Sequence, residues 1–113
     1  MNNYRNFVIY KIYQIDCPEI CYIGSTNNFS SRKSNHKKNC KNKVSKKYKY
    51  PLYKYIRALG GMEKFDMIIY ENYPCNTRDE GLLKEQEIID LLQPKLNTIN
   101  AKKEIKVNKN NTI

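Results

Sequence analysis

A run of β-branched and aromatic side chains, Phe7-Val8-Ile9-Tyr10-Lys11-Ile12-Tyr13, commits the start of this chain to an extended strand and therefore to a sheet. A strand needs a partner. Cys17-Pro18-Glu19 supplies a turn signal, and Cys21-Tyr22-Ile23-Gly24 reads as the returning strand of a hairpin. Gly24 ends it, and Ser25-Thr26-Asn27-Asn28 offers several helix N-caps.

A first, strongly basic helix is expected from about Phe29 to Cys40, followed by a solvated Lys-, Asn- and Ser-rich stretch over Lys37 to Lys49. Pro51 suits the first turn of a second helix. Leu52, Tyr55, Ile56 and Leu59 follow at helical spacing, and Gly60-Gly61 stops it. Phe65 to Glu71 reads as a third strand ended by Tyr73-Pro74. Thr77-Arg78-Asp79-Glu80 is a capping box that opens a third helix running to about Leu92, with Pro94 ending it. The order β-β-α-α-β-α predicts a small α/β fold, a three-stranded sheet with helices packed on it. Residues 1–100 are expected to form one domain, and the Lys- and Asn-rich tail, 101–113, is expected to be disordered.

Charge narrows the partners. The 113 residues hold 21 Lys and Arg against 11 Asp and Glu, a formal charge of +10, which favours a polyanion such as DNA. The abundance of Lys and Asn also matches AT-rich coding, a second source of the same charge. No apolar run approaches the roughly 18 residues of a membrane span, and the polar start, Met1 to Asn6, lacks the apolar core of a signal peptide. A soluble intracellular protein with reduced cysteines and no membrane partner is the expectation.

Three groups of residues could carry chemistry. On the third helix Leu82, Ile88, Ile89 and Leu92 fall on one arc, and Glu85 lies in its middle. Burying an unpaired carboxylate costs several kcal/mol, so Glu85 is either a metal ligand, a partly exposed residue at the stripe's edge or a partner of a lysine. On the first helix Arg32 and His36 are four apart and share a face with Phe29. An arginine there can bind a phosphate through its planar fork, or be one cation of a solvated helix. Tyr10 and Tyr22 lie on neighbouring strands, where a tyrosine is most often a packing residue.

Together these pieces resemble a known pattern. Val8-Ile9-Tyr10 followed by Tyr22-Ile23-Gly24 is similar to the paired tripeptides that name the GIY-YIG nucleases, with Val8 in place of the first glycine. The arginine and histidine of that pattern are matched by Arg32 and His36, the late glutamate by Glu85, and the asparagine that follows by Asn97, with Asn100 as a second candidate. The resemblance covers about Phe7 to Asn100. It implies a three-stranded antiparallel sheet with flanking helices. It also implies that Tyr10, Tyr22, Arg32, His36 and Glu85 meet on one face of that sheet.

The implied activity is DNA endonuclease, hydrolysing phosphodiester bonds with a single Mg²⁺ (or Mn²⁺) held by Glu85. Arg32 would sit on the scissile phosphate and Tyr10 or His36 would be the general base. Lys33, Lys37, Lys38, Lys41, Lys43, Lys46 and Lys47 are expected to meet DNA phosphates. Such contacts carry little sequence information, so specificity is expected to be weak, structure-based or supplied by a protein partner. Oligomeric state is not legible. Two other readings stand beside this one. Cys17-x₃-Cys21 and His36-x₃-Cys40 have the spacing of zinc ligands, leaving Cys75 over. The same fold could also serve as a non-catalytic DNA-binding module.

Overall fold

The computed structural model describes residues 3–100; the tail expected to be disordered, 101–113, lies outside them. The element order is β-β-α-α-β-α as expected: β1 (Val8–Gln14), β2 (Cys17–Thr26), α1 (Phe29–Lys41), α2 (Pro51–Ala58), β3 (Phe65–Asn72) and α3 (Arg78–Leu92), with a short 3₁₀ turn, Met62–Lys64, before β3. The three strands form an antiparallel sheet in the order β2-β1-β3.

β1 is therefore central, and both of its faces are covered. Tyr10 and Ile12 enter one apolar cluster with Cys40 of α1, Leu52, Tyr53 and Ile56 of α2, and Leu96. The alternate residue Ile9 enters a second cluster with Phe7, Ile23 and Ile88 of α3. Side chains alternate across a strand, so α1 and α2 lie on one face of the sheet and α3 on the other.

The hairpin differs from expectation at its turn. The connection is Ile15-Asp16, and Cys17-Pro18-Glu19 already belongs to β2. The β1–β2 register jumps from Tyr13↔Cys21 to Gln14↔Cys17, and Pro18 falls in the skipped stretch. Proline cannot donate to a ladder, and on an edge strand a bulge accommodates it. The break that the sequence signals is real, but it interrupts pairing rather than reversing the chain.

The helix ends follow their sequence signals. Asn28 caps α1 by accepting from the Ser31 N–H at 3.0 Å. Pro51 opens α2, and Gly60 and Gly61 end that segment at φ of 111° and 94°. Thr77 and Glu80 form the reciprocal capping box of α3. The stretch Lys37 to Lys49 is not all loop, since α1 continues to Lys41. Arg57 fastens what remains: it donates to the Cys40 carbonyl at 2.9 Å and the Tyr48 carbonyl at 2.7 Å, and stacks 3.7 Å over the Tyr48 ring. Pro94 does end α3, but the chain turns helical again over 95–100. Among the described residues no helix is long and apolar enough to cross a membrane.

Candidate active site

Tyr10 points from the centre of β1 into the α1–α2 layer. Its cross-strand partner is Gly24. A Cβ built on Gly24 would collide with the Tyr10 phenol, so glycine is what allows the phenol to lie flat across β2. The Tyr10 hydroxyl is 2.8 Å from His36 Nε2, and the other ring nitrogen, Nδ1, is 2.8 Å from the hydroxyl of Tyr53. Tyr22 completes the group, with its ring centroid 6.2 Å from that of His36 and 6.5 Å from that of Tyr10. Val8 and Ile9 are buried on opposite faces of β1, and Ile23 is buried under α3.

Burial sets the charge states here. It pushes the Tyr10 phenol well above its ordinary range, with the Tyr22 phenol adding to the shift and the Arg32 charge opposing it. The His36 imidazole is lowered to about 4, first by burial and then by the charges of Arg32 and Lys47. His36 is thus a neutral ring at neutral pH, 4% exposed, with both nitrogens in hydrogen bonds.

Glu85 approaches from the other face. On α3 it lies between Gly81 and Ile88, the two buried residues of that helix, at helical spacing. Gly81 is the packing position that hydropathy cannot signal: a Cβ there would collide with the Phe7 ring. Leu82 and Leu92, expected on the buried arc, are exposed instead, because the helix seats through Gly81 and Ile88. Glu85 is half-buried and accepts a hydrogen bond from the Ser25 hydroxyl, one residue beyond Gly24. Burial raises its carboxyl above the ordinary range, while the Ser25 hydrogen bond and the charges of Arg32 and Arg78 oppose the shift.

Arg32 joins the two sides. Its charge acts on Tyr10, His36, Tyr53 and Glu85. It lines one cavity of about 230 Å³ with His36 and Tyr53, and another of about 140 Å³ with Ser25 and Arg78. The ion pairs formed among the described residues use Lys41 and Lys84, not Arg32. The five expected residues therefore gather at the end of β2, but not on one face of the sheet. Tyr10, Tyr22 and His36 lie on the α1–α2 face, Glu85 on the α3 face, and Arg32 reaches both.

The two asparagine candidates have different roles. Asn97 accepts from the Ile23 N–H at 2.7 Å and donates to the Ile23 carbonyl at 2.8 Å, closing the free edge of β2 beside Tyr22 and Gly24. Asn100 accepts from the Leu52 N–H, an otherwise open donor in the first turn of α2.

The seven lysines expected to meet DNA divide. Lys46 and Lys47 line the cavity that holds Arg32 and His36. Lys33, Lys37 and Lys41 surround a separate concavity with Glu63 and Asp66, where Lys41 pairs with Glu63 at 3.6 Å. Lys38 and Lys43 are exposed. Tyr53, Asn39, Ser25 and Arg78 were not singled out from sequence. Tyr53 carried a usable signal, one helical turn before Ile56 and adjacent to Leu52 on the buried side of α2.

The donor set at Glu85 suits one kind of metal. A single carboxylate beside a hydroxyl offers oxygen ligands only. Mg²⁺ and Mn²⁺ accept such a site, and Mg²⁺ commonly binds through one or two carboxylates and keeps several waters. Zinc needs about four N or S ligands. Among the described residues no three His, Cys, Asp or Glu converge. Cys17 donates to Glu19, Cys40 is packed in the core, and both nitrogens of His36 are engaged by phenols. The zinc-module reading is thereby corrected: the spacing is present, but Cys17, His36 and Cys40 are engaged elsewhere and Cys21 is buried in β2.

Comparison with known proteins agrees with this geometry. The family model of the GIY-YIG catalytic domain matches residues 6–100. No curated protein and no solved structure matches the chain. A match over most of the chain, on a fold whose strand ends bring the signature residues together, makes this chain a member of the GIY-YIG nuclease family.

Proposed function

We propose that this protein is a DNA endonuclease that hydrolyses phosphodiester bonds with one divalent metal ion, Mg²⁺ or Mn²⁺, held by Glu85. The observation that carries the reading is the position of Arg32, whose charge acts at once on the Tyr10–His36 pair and on Glu85. A phosphate drawn to that guanidinium has a carboxylate on one side and a phenol on the other.

Each residue then has a task. Arg32 binds the scissile phosphate through its fork of donors and offsets the charge that grows on its oxygens in the transition state. As its phenolate, its own proton having passed to solvent, Tyr10 would take a proton from the attacking water, whose oxygen bonds to phosphorus as the bond to the leaving oxygen breaks, and the leaving oxygen would draw its proton from a solvent water. His36 stands behind Tyr10 with neither nitrogen free, which favours Tyr10 as the base and His36 as its support. Tyr22 limits the position of the Tyr10 ring. When bound at Glu85, the ion supplies a Lewis acid for the leaving oxygen and a positive charge that eases ionisation of the phenol. Of the basic residues from Lys33 to Lys47, those beside Arg32, Lys46 and Lys47, hold the DNA backbone most directly, and sequence choice is left to DNA structure or to a protein partner.

The test is incubation of the purified protein with supercoiled plasmid and with branched DNA, in Mg²⁺ and in chelator. Nicking is expected only with the ion, and Glu85→Ala is expected to abolish it while thermal melting still reports a folded protein. Undiminished nicking by pure Glu85→Ala protein would defeat the assignment of the metal to Glu85. Binding of DNA by the parent without any cleavage would favour a non-catalytic module.

A further inference from the structure

A chain of hydrogen bonds runs behind Tyr10, and its three outer links, from Lys47 to Tyr53, share one direction. The Lys47 backbone N–H donates to Ser45 Oγ at 3.3 Å. The Ser45 hydroxyl donates to Asn39 Oδ1 at 2.7 Å, with the amide nitrogen facing inward. Asn39 Nδ2 donates to the Tyr53 oxygen at 3.4 Å. The Tyr53 hydroxyl is 2.8 Å from His36 Nδ1, and His36 Nε2 is 2.8 Å from the Tyr10 oxygen.

A neutral imidazole carries one proton, so one nitrogen donates and the other accepts. Two phenols alone leave that choice open. Asn39 breaks the tie, because its N–H fills a lone pair of the Tyr53 oxygen and leaves the Tyr53 proton to be passed on. A chain in which each group donates in the same sense gains from mutual polarisation in a site of low dielectric.

We propose that Asn39 and Tyr53 are positioning residues that set the His36 tautomer, with Nδ1 accepting from Tyr53 and Nε2–H donating to the Tyr10 oxygen. The proposal rests on Tyr10 being the base. A phenolate can only accept, and it needs a donor at the oxygen that will take the proton. The Nε2–H supplies one without itself giving up its proton. The opposite tautomer would aim a lone pair at Tyr10 and hold the phenol in its protonated, donating form. The chain starts at Ser45 and Lys47, in the stretch whose lysines line the same cavity as Arg32. The segment that meets the substrate phosphate is thus also the one that anchors the amide.

The sequence has a single histidine, so long-range ¹⁵N–¹H correlation spectra of the ring need no assignment step. Near pH 7.5 the expected spectrum has a protonated Nε2 and an unprotonated Nδ1. Asn39→Asp replaces the inward donor by an acceptor. Tyr53 then donates to Asp, Nδ1 must donate to Tyr53, and the tautomer inverts. Tyr53→Phe removes the partner of Nδ1 and abolishes the strict preference for either form. Nicking by both variants is expected to fall roughly 10- to 100-fold, as when an imidazole loses its orienting partner, with DNA affinity kept within about twofold. A parent protein with the proton on Nδ1 overturns the proposal. So does an unchanged tautomer in both variants, or in Tyr53→Phe alone should Asn39→Asp fail to fold. The spectra do not depend on cleavage, so failure of the parent to cut any DNA overturns the nuclease reading separately.

Discussion

The two sides of the sheet treat their ionisable groups differently. On the α1–α2 side Tyr10, His36 and Tyr53 are buried and bonded to one another, neutral groups that satisfy neutral groups. On the α3 side Glu85 is half-buried, held by one hydroxyl and two guanidinium charges, and its partner Ser25 lines a cavity with Arg32 and Arg78. The closed side can hold an atom still while a proton arrives. The open side leaves room for an ion and a phosphate. Arg32 belongs to both, and its removal separates them.

Arg32→Ala has the largest expected effect of the changes that compare the sides. It takes the phosphate's charge partner away and leaves both halves otherwise intact. The cleavage rate is expected to fall by about 10²–10³, the cost of removing one donor aimed at transition-state charge. Stability should change by less than about 0.5 kcal/mol, as for a substitution that breaks no packed or bonded core group. Plasmid nicking and thermal melts measure the two quantities. A rate within about threefold of the parent would count against the role given to Arg32.

Acid should distinguish the sides next, and with opposite signs. The folded pKa of His36 is lowered to about 4 from an ordinary 6.5, so the unfolded chain binds the proton first. Its contribution is fully present above about pH 6.5 and is lost as the pH falls toward 4, up to about 3 kcal/mol. The folded pKa of Glu85 is raised. The folded state therefore binds that proton more tightly, and acidification relieves a strain present at neutral pH. Glu85→Gln removes this compensation. The variant should be more stable than the parent at pH 7.5 and should lose more stability by pH 4.5. Urea midpoints at the two values measure it, and equal slopes for parent and variant would remove the contrast between the two burials.

Much of this was legible in the chain itself, for reasons that also mark the limits. Local periodicity and caps depend on near neighbours, so the β1 run, the Asn28 cap, the Pro51 start and the Thr77–Glu80 box all appear where their residue types demand. Glu85 could be placed on the arc of Leu82, Ile88, Ile89 and Leu92, but that arc left three roles open for it, and Leu82 and Leu92 are exposed. Periodicity says which way a side chain points from its own helix, but not which face of the sheet that helix covers. This is why the site was expected on one face and instead wraps the end of β2. Gly81 escaped because a missing side chain leaves no hydropathic trace. Asn39 and Ser45 escaped because polar residues in a basic stretch look solvated until a fold brings Tyr53 beneath them. Pro18 signalled a break in pairing, and sequence alone does not separate a bulge from a reversal.

The smallest expected effect compares two groups of lysines. Lys47 lines the cavity of Arg32 and His36, whereas Lys41 borders the concavity with Glu63 and Asp66 and is already paired with Glu63. A lysine that neutralises a DNA phosphate releases a counterion, and losing it lowers the slope of log affinity against log salt by about 0.9. Lys47→Ala should show that change and a fewfold weaker binding that is uniform across DNA sequences. Lys41→Ala should leave the slope nearly unchanged, since its charge is partly answered by Glu63. Fluorescence anisotropy of a labelled duplex over a salt series reads both variants. If Lys41→Ala changed the slope and Lys47→Ala did not, the DNA would run past the other end of α1, away from Arg32, and the link between backbone binding and the Tyr10 site would be lost.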